Sequence, residues 1–334
     1  MSEPPQPVPV DIHRSTQPTA LASRLRQGLV EREIDPKFHY TTPRQAQAWL
    51  ALHQKYSPFM NLAGGTEVYD RAFAWVAGHG TNRPVHLVSL ACGGAGKELR
   101  LVQALRAGGR PVTATVSDIS VPLAQAGHQT LTQEGGLTEV GALTLDLLAP
   151  EDLSPELFPR PVGADRILTC FGLMPNVPPL AIARQLAQLT RPGELLLVGA
   201  NLAPEADYEA GTRAVLGGYD NDETRHWLGM LLADCGFEPG AGDIQFTVEA
   251  CPAWPDLLQI VARFHLRRDQ RIIIDGQRIN FQAGEMLRLF FSNRFTPSRL
   301  KRLFEQSGFQ ISGEWISAEG NEGVIAGTTR SLNV

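Results

Sequence analysis

The stretch Val85-His-Leu-Val-Ser-Leu-Ala91 runs directly into Cys92-Gly-Gly-Ala-Gly-Lys-Glu98, and this junction decides the fold. The first segment is the continuous apolar run of a buried strand, and residues 97–107 beyond the glycines have helical spacing. A glycine-rich turn between a strand and a helix lets a ligand approach the main chain closely. We therefore expect a ligand-binding loop at this junction.

Strands and helices continue to alternate beyond the loop. The predicted strands are Val85–Ala91, Pro111–Ser117, Ala142–Leu148, Asp165–Phe171 and Glu194–Ala200, and the predicted helices are Lys97–Ala107, Val121–Glu134 and Pro179–Thr190. Strands that alternate with helices require crossover connections, which give a parallel sheet covered on both faces. This part of the chain is thus predicted to be an α/β domain.

The chain on either side of this part has a different pattern. Residues 1–18 are rich in Pro, Ser, Thr and Gln and are expected to lack fixed structure. After an acidic, loop-like segment over 203–223, β patterns dominate from Ile244 to Phe281, with Asp275-Gly276 as a hairpin turn. The remaining predictions are helices over Ala20–Val30, Pro43–Lys55, Thr224–Cys235 and Thr296–Ser307, and closing strands over Phe309–Ile316 and Gly323–Thr328.

These changes of pattern predict two domains behind a disordered tail of residues 1–18. Residues 61–202 together with 295–334 are assigned to a Rossmann-like domain that binds the cofactor. Residues 19–60 together with 203–294 are assigned to a second, smaller α+β domain that binds the substrate.

Composition excludes several classes of protein. A net charge of −5 over 334 residues excludes a globally basic nucleic-acid binder, and 43% hydrophobic residues are enough for a core. No apolar run approaches the roughly 20 residues of a membrane helix, and the N-terminus lacks a signal-peptide pattern. The four cysteines form no C-x-x-C pair, which favours reduced thiols in a cytoplasm. We expect a cytoplasmic protein that binds a small molecule and neither nucleic acid nor membrane.

The glycine loop fits neither of the two common phosphate-binding patterns. A P-loop needs glycine at its first position and Ser or Thr after Gly-Lys, where this chain has Ala91 and Glu98. A dinucleotide loop needs a third glycine where the chain has Leu99, and Glu98 at the helix start would repel a pyrophosphate. What remains is a nucleoside with little negative charge, such as S-adenosylmethionine with its cationic sulfonium.

Two acids at strand ends support the same ligand. Asp118 ends the second predicted strand, about 20 residues beyond the loop, where an acid can bind both ribose hydroxyls. Asp146 and Leu147 end the third strand, where the carboxylate can accept a hydrogen bond from the adenine amino group and the next N–H can meet a ring nitrogen. The alternative is that the glycines form an ordinary tight turn and the two acids cap helices.

Short motifs along the chain carry the interpretation further. They are Gln27–Leu29 with Pro36–Tyr40, Lys55–Pro58, Cys92–Lys97, Ser117–Ser120, Phe171–Asn176, Gly218–Asp220, Gly284–Glu285 and Ser292–Phe295. Together they resemble the histidine Nα-methyltransferases of ergothioneine biosynthesis, and the resemblance extends from about Leu21 to the C-terminus. It implies a Rossmann-like class I methyltransferase sheet with a smaller α+β domain, and S-adenosylmethionine as cofactor.

Two positions depart from the pattern of that family. A glutamate that pairs with the substrate imidazole is replaced here by Phe290, and a pocket methionine aligns loosely with Ala262. A phenyl ring cannot accept a hydrogen bond, so an imidazole would be left unpaired. The resemblance implies that the residues that bind the amino and carboxylate groups of the substrate are retained, namely Asn176, Tyr219 and Tyr40. We therefore expect methylation of the amino group of a small amino acid or related amine other than histidine.

The resemblance implies three overlapping sets of site residues. The cofactor-binding set is Tyr40, Ala91, Gly93, Lys97, Asp118, Ile119, Asp146, Leu147, Phe171 and Gly172. The catalytic set is Tyr40, Tyr56, Asn176 and Tyr219. The substrate-binding set is Tyr56, Asn176, Tyr219, Thr224, Ala262, Phe290 and Ser292. No metal is expected, since the eight histidines include no H-x-x-x-H pair, and the chain is expected to be a monomer or a weak homodimer.

Two other functions remain open on the sequence. The same cofactor could serve oxygen or carbon methylation, or could itself be cleaved or cyclised. The apolar pocket and the turn from Gly172 to Asn176, which is one residue shorter than in the family, motivate that hypothesis. The chain could also be a non-catalytic binding module of the same fold.

Overall fold

A mostly parallel, eight-stranded sheet forms the larger part of the computed structural model, which describes residues 8–61, 65–79, 81–149 and 153–329. Its strands are β1 (Asp11–Ile12), β2 (Val85–Leu90), β3 (Val112–Asp118), β4 (Val140–Thr144), β5 (Asp165–Phe171), β6 (Leu195–Asn201), β12 (Phe309–Ile316) and β13 (Glu322–Thr329), in the order β1-β4-β3-β2-β5-β6-β13-β12. Only the pairs β6–β13 and β12–β13 are antiparallel in this described sheet. The predicted α/β fold with a parallel centre is confirmed.

Helices cover both faces of this sheet. They are α4 (Gly65–Gly78), α5 (Gly96–Ala107), α6 (Val121–Gln129), α7 (Pro179–Leu189) and α10 (Pro297–Gln306). Successive residues of β2 point to opposite faces, as they must in a strand. Val85 and Leu87 therefore join the core under α4 and α5, whereas Val88 and Leu90 join the core under α7 and α10. Burial of both faces explains the nearly continuous apolar run of this strand.

A smaller, antiparallel sheet belongs to the second half of the chain. It consists of β7 (Gly242–Cys251), β8 (Trp254–Leu266) and β11 (Met286–Arg294) in the order β11-β8-β7, and a separate hairpin pairs β9 (Gln270–Ile274) with β10 (Gln277–Phe281). The predicted turn Asp275-Gly276 joins that hairpin, and both residues have left-handed φ angles of 51° and 70°. The remaining helices are α1 (Pro18–Glu31), α2 (Pro43–Tyr56), α3 (Pro58–Asn61), α8 (Tyr208–Ala214) and α9 (Asp222–Asp234). Residues of α1, α2 and α9 share a core with the smaller sheet.

The first described residues are ordered, which corrects the prediction of a structureless tail. β1 pairs in parallel with β4, and the buried Thr16 hydroxyl bonds the Thr144 hydroxyl at 2.9 Å. The Ser15 hydroxyl is also buried and accepts a hydrogen bond from the Asp146 amide at 3.0 Å. Composition suggested disorder, but the hydrogen bonds of the sheet edge fix this segment. The prediction is wrong for residues 8–18, and residues 1–7 lie outside the described part of the chain.

Several element boundaries also differ from the predictions. The segment 203–223 contains α8 and a short 3₁₀ turn over residues 216–218, so it is not all loop. β4 ends at Thr144, which leaves Asp146 and Leu147 in the loop that follows the strand. α6 ends at Gln129, and residues 130–134 continue as a π-helix. The sequence made no prediction for α4, although Tyr69 and Phe73 of this helix are buried in the core.

No helix in the described part of the chain is long and apolar enough to cross a membrane. Within the same described residues, no three His, Cys, Asp or Glu side chains are grouped closely enough to hold a metal ion.

Candidate active site

A cavity of about 950 Å³ lies at the carboxyl ends of the central parallel strands. One part of its lining, the glycine-loop end, consists of residues 91–98 after β2, 117–119 at the end of β3 and 145–148 after β4. Another part, the β11 wall, consists of Phe290, Ser292 and Arg294 together with Asn176, Tyr219 and Trp227. Ligand sites of roughly 300–1,000 Å³ enclose small molecules and cofactors, so this cavity has room for both a cofactor and a small second ligand.

The glycine loop has an unusual backbone. Ala91, Gly93 and Ala95 alternate along it with left-handed φ angles of 56°, 52° and 53°. Such angles are costly for alanine, and strained residues of this kind cluster at binding sites. A side chain at Gly93 would place its Cβ 2.9 Å from the Cη2 atom of Trp49. Only glycine fits at that position, so the main chain itself borders the cavity.

Asp118 fixes the glycine loop from the neighbouring strand. Its Oδ2 accepts a hydrogen bond from the Gly93 amide at 3.0 Å, and its Oδ1 accepts one from the Ser120 amide at 3.0 Å. Burial raises the pKa of the Asp118 carboxyl to about 6, although these two amides lower it in part. The side chain is thus an ionised acceptor near neutral pH, with lone pairs left for a ligand.

Asp146 has partners that the sequence did not predict. Its Oδ2 forms ion pairs with Lys37 at 2.9 Å and with Arg24 at 3.2 Å, and its Oδ1 accepts from the Leu148 amide. Burial lowers the pKa of the Lys37 ammonium, but the carboxylates of Asp35 and Asp146 more than offset this, so the pKa is raised. An adenine amino group would share Asp146 with two cations.

Lys97 belongs to a buried polar cluster next to the loop. Its ammonium donates to the Tyr69 hydroxyl at 2.7 Å and lies 3.5 Å from Glu322, and Tyr69 also donates to Glu322 at 2.5 Å. Asn201 donates to the other Glu322 oxygen at 2.9 Å. Glu98, which follows Lys97, accepts from the hydroxyls of two strand residues, Ser89 and Thr169. The Glu98 side chain is buried and faces the sheet rather than solvent at the helix start, and this burial raises the pKa of its carboxyl.

Hydrogen bonds orient the polar groups of the β11 wall. The Asn176 amide nitrogen donates to the Phe291 carbonyl oxygen at 2.9 Å, which leaves its amide oxygen as an acceptor. The Tyr219 hydroxyl lies 2.9 Å from the Ser292 hydroxyl. Arg294 donates to the Tyr219 hydroxyl at 3.3 Å. The wall therefore presents an amide oxygen, two hydroxyls and a guanidinium.

Aromatic rings make up the rest of this side of the cavity. The Tyr40 ring lies 5.5 Å from Trp49 and 5.3 Å from Trp227, and Trp227 meets Phe290 edge-on at 5.8 Å. The Tyr40 hydroxyl has no hydrogen-bond partner among the described residues. Burial raises the pKa of Tyr40, and the charges of Asp118, Tyr219 and Asp35 raise it further. Its hydroxyl is therefore neutral, and it can donate to or accept from a ligand.

Tyr56 and Thr224 line the cavity where α2 ends and α9 begins. Tyr56 is half-exposed and donates to Glu223 at 3.0 Å, and Lys55 pairs with the same carboxylate. Direct hydrogen bonds from Lys55 lower the pKa of Glu223 to about 2. Thr224 is buried, and its amide donates to the N-cap residue Asn221. These contacts join the two helices beside the cavity.

The structure brings nearly all of the predicted site residues to one cavity. All ten predicted cofactor-binding residues line it, and so do Tyr56, Asn176, Tyr219, Thr224, Phe290 and Ser292. Ala262 is not part of the lining: it is fully buried in the core and pairs with Phe290 in the β8–β11 register, so its side chain lies beside Phe290 on the same face of the sheet. Its substrate-binding role stays a prediction. The individual roles of the other residues stay predictions.

The sequence missed several side chains that also line the cavity. Among them are Lys37, Trp49, His53, Trp227 and Arg294. Burial and the nearby Lys97 lower the pKa of His53 to about 4, so this imidazole is neutral at pH 7. Sequence periodicity could have predicted most of these residues, because four of them share a helix or strand face with a predicted site residue. Trp49 and His53 precede Tyr56 at helical spacing, Trp227 follows Thr224 by one turn, and Arg294 alternates with Ser292 along β11.

Comparison with known protein families identifies one family to which the chain belongs. A profile of the histidine-specific, S-adenosylmethionine-dependent methyltransferases matches residues 70–326. No curated protein sequence matches the chain significantly.

Several solved methyltransferase structures are similar to this chain at low sequence identity. Magnesium protoporphyrin IX methyltransferase from Synechocystis, with bound S-adenosylhomocysteine, is 13% identical with a TM-score of 0.45, and the match covers 86% of this chain and 95% of that one. A mitomycin 7-O-methyltransferase is 15% identical with a TM-score of 0.41, covering 86% and 69%. The CcbJ methyltransferase from Streptomyces caelestis is 16% identical with a TM-score of 0.38, covering 78% and 94%.

Proposed function

We propose that this chain, which belongs to the family of histidine-specific, S-adenosylmethionine-dependent methyltransferases, methylates the amino group of a small amino acid or related amine other than histidine. The observation that carries the proposal is the single cavity that joins the glycine-loop end to the β11 wall. A methyl donor and an amine acceptor must lie side by side for transfer, and this cavity has room for both.

The glycine-loop end fits the cofactor. The main chain at Gly93 lines the cavity, Asp118 offers a buried carboxylate for the ribose hydroxyls, and Lys97 offers a cation for the carboxylate of the cofactor. When bound there, S-adenosylmethionine supplies a methyl group activated by its positively charged sulfur. Asp118 and Lys97 would hold the two ends of the molecule.

The β11 wall fits an amine acceptor. The amide oxygen of Asn176 can accept a hydrogen bond from the amine, because the Phe291 carbonyl fixes the amide nitrogen. Tyr40 and Tyr219 add hydroxyls that can bind the same substrate. Together these groups can orient the nitrogen lone pair, which is most of what a displacement at an activated methyl group requires.

The acceptor nitrogen must also lose its proton before it can attack. The carboxylates that line the cavity are Asp35, Glu98, Asp118, Glu134 and Asp146. None of these described acids lies on β11, on α9 or in the turn after β5, so the proton passes to water or through a hydroxyl. The guanidinium of Arg294 favours the neutral amine by charge repulsion. The reaction is therefore expected to accelerate as pH rises toward the pKa of the bound amine.

Phe290 supports an acceptor other than histidine. It packs between Trp227 at 5.8 Å and Tyr219 at 6.3 Å, and this part of the wall holds no carboxylate among the described residues. An imidazole placed against Phe290 would lose its hydrogen bonds to water without replacement. An apolar side chain would gain from the same contact.

Product analysis tests the proposal. The protein is incubated with isotopically labelled S-adenosylmethionine and a library of amino acids and amines, and the products are identified by mass spectrometry. We expect a labelled N-methyl product from a compound other than histidine, together with S-adenosylhomocysteine. Label on oxygen or carbon only, or methylthioadenosine formed without any acceptor, would contradict the proposal.

A substitution at Phe290 tests the acceptor pocket separately. Phe290→Glu restores an acceptor for an imidazole and should shift preference toward histidine. Phe290→Leu keeps the pocket apolar and should not. An identical acceptor profile for both variants would show that Phe290 does not face the acceptor.

A further inference from the structure

Lys37 is a cation on the cavity lining that pairs with Asp146, the acid predicted to bind adenine. Its ammonium lies 2.9 Å from Oδ2 of Asp146 and 3.0 Å from Oδ2 of Asp35. Arg24 reaches the same Asp146 oxygen at 3.2 Å, but Arg24 is not part of the cavity lining. Of these two cations, Lys37 is therefore the one placed to touch a ligand in the cavity.

The local structure holds Lys37 in place. It lies in a 3₁₀ turn over Pro36–His39, at whose start the Asp35 side chain accepts a hydrogen bond from the Lys37 amide at 3.1 Å. At the end of the turn, the buried His39 ring donates to the Leu289 carbonyl oxygen of β11 at 2.8 Å. The Lys37 side chain is only 16% exposed. This lysine is thus a fixed group on the cavity wall and not a mobile surface charge.

A count of donors and acceptors shows what Lys37 and Asp146 can still bind. A carboxylate offers about four acceptor positions. Lys37, Arg24 and the Leu148 amide occupy three of those on Asp146. An ammonium has three N–H donors, and the two carboxylates take two of those on Lys37. The pair therefore keeps one acceptor and one donor, side by side on the cavity lining.

One part of adenine matches this arrangement. Its exocyclic amino group is a donor, and the ring nitrogens on either side of that group, N1 and N7, are acceptors. The sequence predicts that Asp146 accepts a hydrogen bond from the amino group. The Lys37 ammonium lies 2.9 Å from the same carboxylate and is therefore close enough to donate to the adjacent ring nitrogen.

We propose that Lys37 donates a hydrogen bond to the adenine of the cofactor, at a ring nitrogen beside the amino group, so that Lys37 and Asp146 together recognise the base. This inference goes beyond the proposed function, because it concerns the cofactor and holds for any acceptor. It adds Lys37 to the cofactor site, where Tyr40 comes from the same stretch of chain.

Deaza analogues of S-adenosylhomocysteine test the inference by isothermal titration calorimetry. Each analogue has one ring nitrogen replaced by C–H, which removes a single acceptor. We expect the wild type to bind the 1-deaza or the 7-deaza compound about tenfold or more weakly than S-adenosylhomocysteine, because a charged hydrogen bond is lost. The 3-deaza compound is the control ligand, since N3 lies on the opposite edge of the base.

Substitutions of Lys37 separate contact with the base from support of the fold. Lys37→Met should bind S-adenosylhomocysteine and the affected deaza analogue equally, because the donor is gone in both cases. Lys37→Arg keeps the ion pair with Asp146 but moves the donor, and should keep only part of the difference. A purely structural role for Lys37 would instead weaken all of the ligands by one common factor.

Arg24→Met is the matched control variant. Arg24 pairs with the same Asp146 oxygen but does not line the cavity. This variant should shift the affinities for S-adenosylhomocysteine and the three analogues together and keep the full difference between them.

Two results would overturn the inference. One is equal binding of all three analogues and S-adenosylhomocysteine by the wild type. The other is an undiminished difference in the Lys37 variants, which would assign the donor to another group such as the Leu147 amide. Because binding alone is measured, failure of the acceptor screen would leave the role of Lys37 standing, and loss of that role would leave the proposed acceptor class unaffected.

Discussion

The glycine-loop end of the cavity and the β11 wall differ in which parts of the chain contribute their residues. The loop and its strand-end acids come from residues 91–148, each following a strand of one parallel sheet. The β11 wall combines Asn176, Tyr219 and Arg294 from three separate segments. At the glycine-loop end, Asp118 and Asp146 already have amide or cationic partners. At the β11 wall, the Arg294 Nε has no hydrogen-bond partner among the described residues, and the Asn176 amide oxygen is left as an acceptor.

This difference separates a cofactor site from a specificity site. A regular sheet fixes the loop end before any ligand arrives, which suits a cofactor shared by a whole family of enzymes. The β11 wall presents a buried guanidinium and an amide oxygen to the cavity, which suits recognition of one kind of acceptor. Changes at the loop end should therefore alter cofactor affinity, and changes at the β11 wall should alter acceptor affinity alone.

The largest expected effect is at Asp118. Asp118→Ala removes the acceptor for the Gly93 and Ser120 amides and for the ribose, so the affinity for S-adenosylhomocysteine should fall about a hundredfold. Isothermal titration calorimetry measures this. Asp165→Ala is the control, since Asp165 lies at the amino end of the central strand β5, away from the cavity at the carboxyl ends, and pairs with Arg110. Similar losses in both variants would contradict a cofactor role for Asp118.

Acidification should weaken the same contact about tenfold. Because the pKa of Asp118 is about 6, most of its carboxylate is protonated at pH 5 and can no longer accept from two amides and a ribose. The affinity for S-adenosylhomocysteine should fall between pH 7 and pH 5, and Asp118→Asn should flatten this dependence. A wild-type affinity that does not change with pH would be inconsistent with this assignment.

Protonation of Asp118 affects stability in the opposite direction. Folding raises the pKa of its carboxyl from 3.8 to about 6, so the folded state holds this proton more tightly than the unfolded chain does. The contribution of Asp118 to the free energy of unfolding is therefore greatest below pH 4 and is lost as pH rises through 6. Urea titrations of the wild type and Asp118→Asn between pH 4 and pH 6 separate the contribution of Asp118 from the contributions of the other titratable groups.

Tyr219→Phe should have a smaller effect, confined to the β11 wall. It removes a hydroxyl bonded to Ser292 and Arg294, so KM for the acceptor should rise about three- to tenfold while S-adenosylhomocysteine binds normally. Tyr208→Phe is the matched control, because the Tyr208 hydroxyl bonds main-chain atoms of Arg294 and Leu258 and does not line the cavity. It should lower the melting temperature and leave KM nearly unchanged. A change in cofactor affinity in Tyr219→Phe would contradict the assignment of the β11 wall to the acceptor alone.

The smallest expected effect is on stability at the outer edge of the sheet. Ser15→Ala removes the hydrogen bond to the Asp146 amide and should lower the free energy of unfolding by about 1 kcal/mol. Ser23→Ala, at an exposed position on α1 whose hydroxyl has no hydrogen-bond partner among the described residues, should change it by less than about 0.5 kcal/mol. Urea denaturation compares the two. Equal effects would show that the N-terminal segment contributes nothing to the position of Asp146.

The sequence predicted the glycine-loop end well for a physical reason. A buried strand, a glycine turn and a helix are adjacent in the chain, and the rules of parallel sheets bring strand ends together. Asp118 and Asp146 could therefore be placed near the loop without a structure. The cations on Asp146 could not, because Arg24 and Lys37 come from residues 19–60, which were assigned to the substrate domain and not to the cofactor site.

The β11 wall was less predictable. Resemblance located Tyr219, Ser292 and Phe290, but it also placed Ala262 in the pocket, whereas Ala262 is fully buried beside Phe290 and does not line the cavity. Arg294 escaped notice because a strand-end arginine usually faces solvent. Its burial and its place on the cavity lining cannot be read from a single sequence.

A crystal structure with S-adenosylhomocysteine tests the central claim most directly. We expect the ribose hydroxyls to lie within hydrogen-bonding distance of the Asp118 carboxylate and the sulfur to point toward Asn176 and Tyr219. Density for the ligand away from Asp118, or a sulfur directed away from the β11 wall, would contradict it.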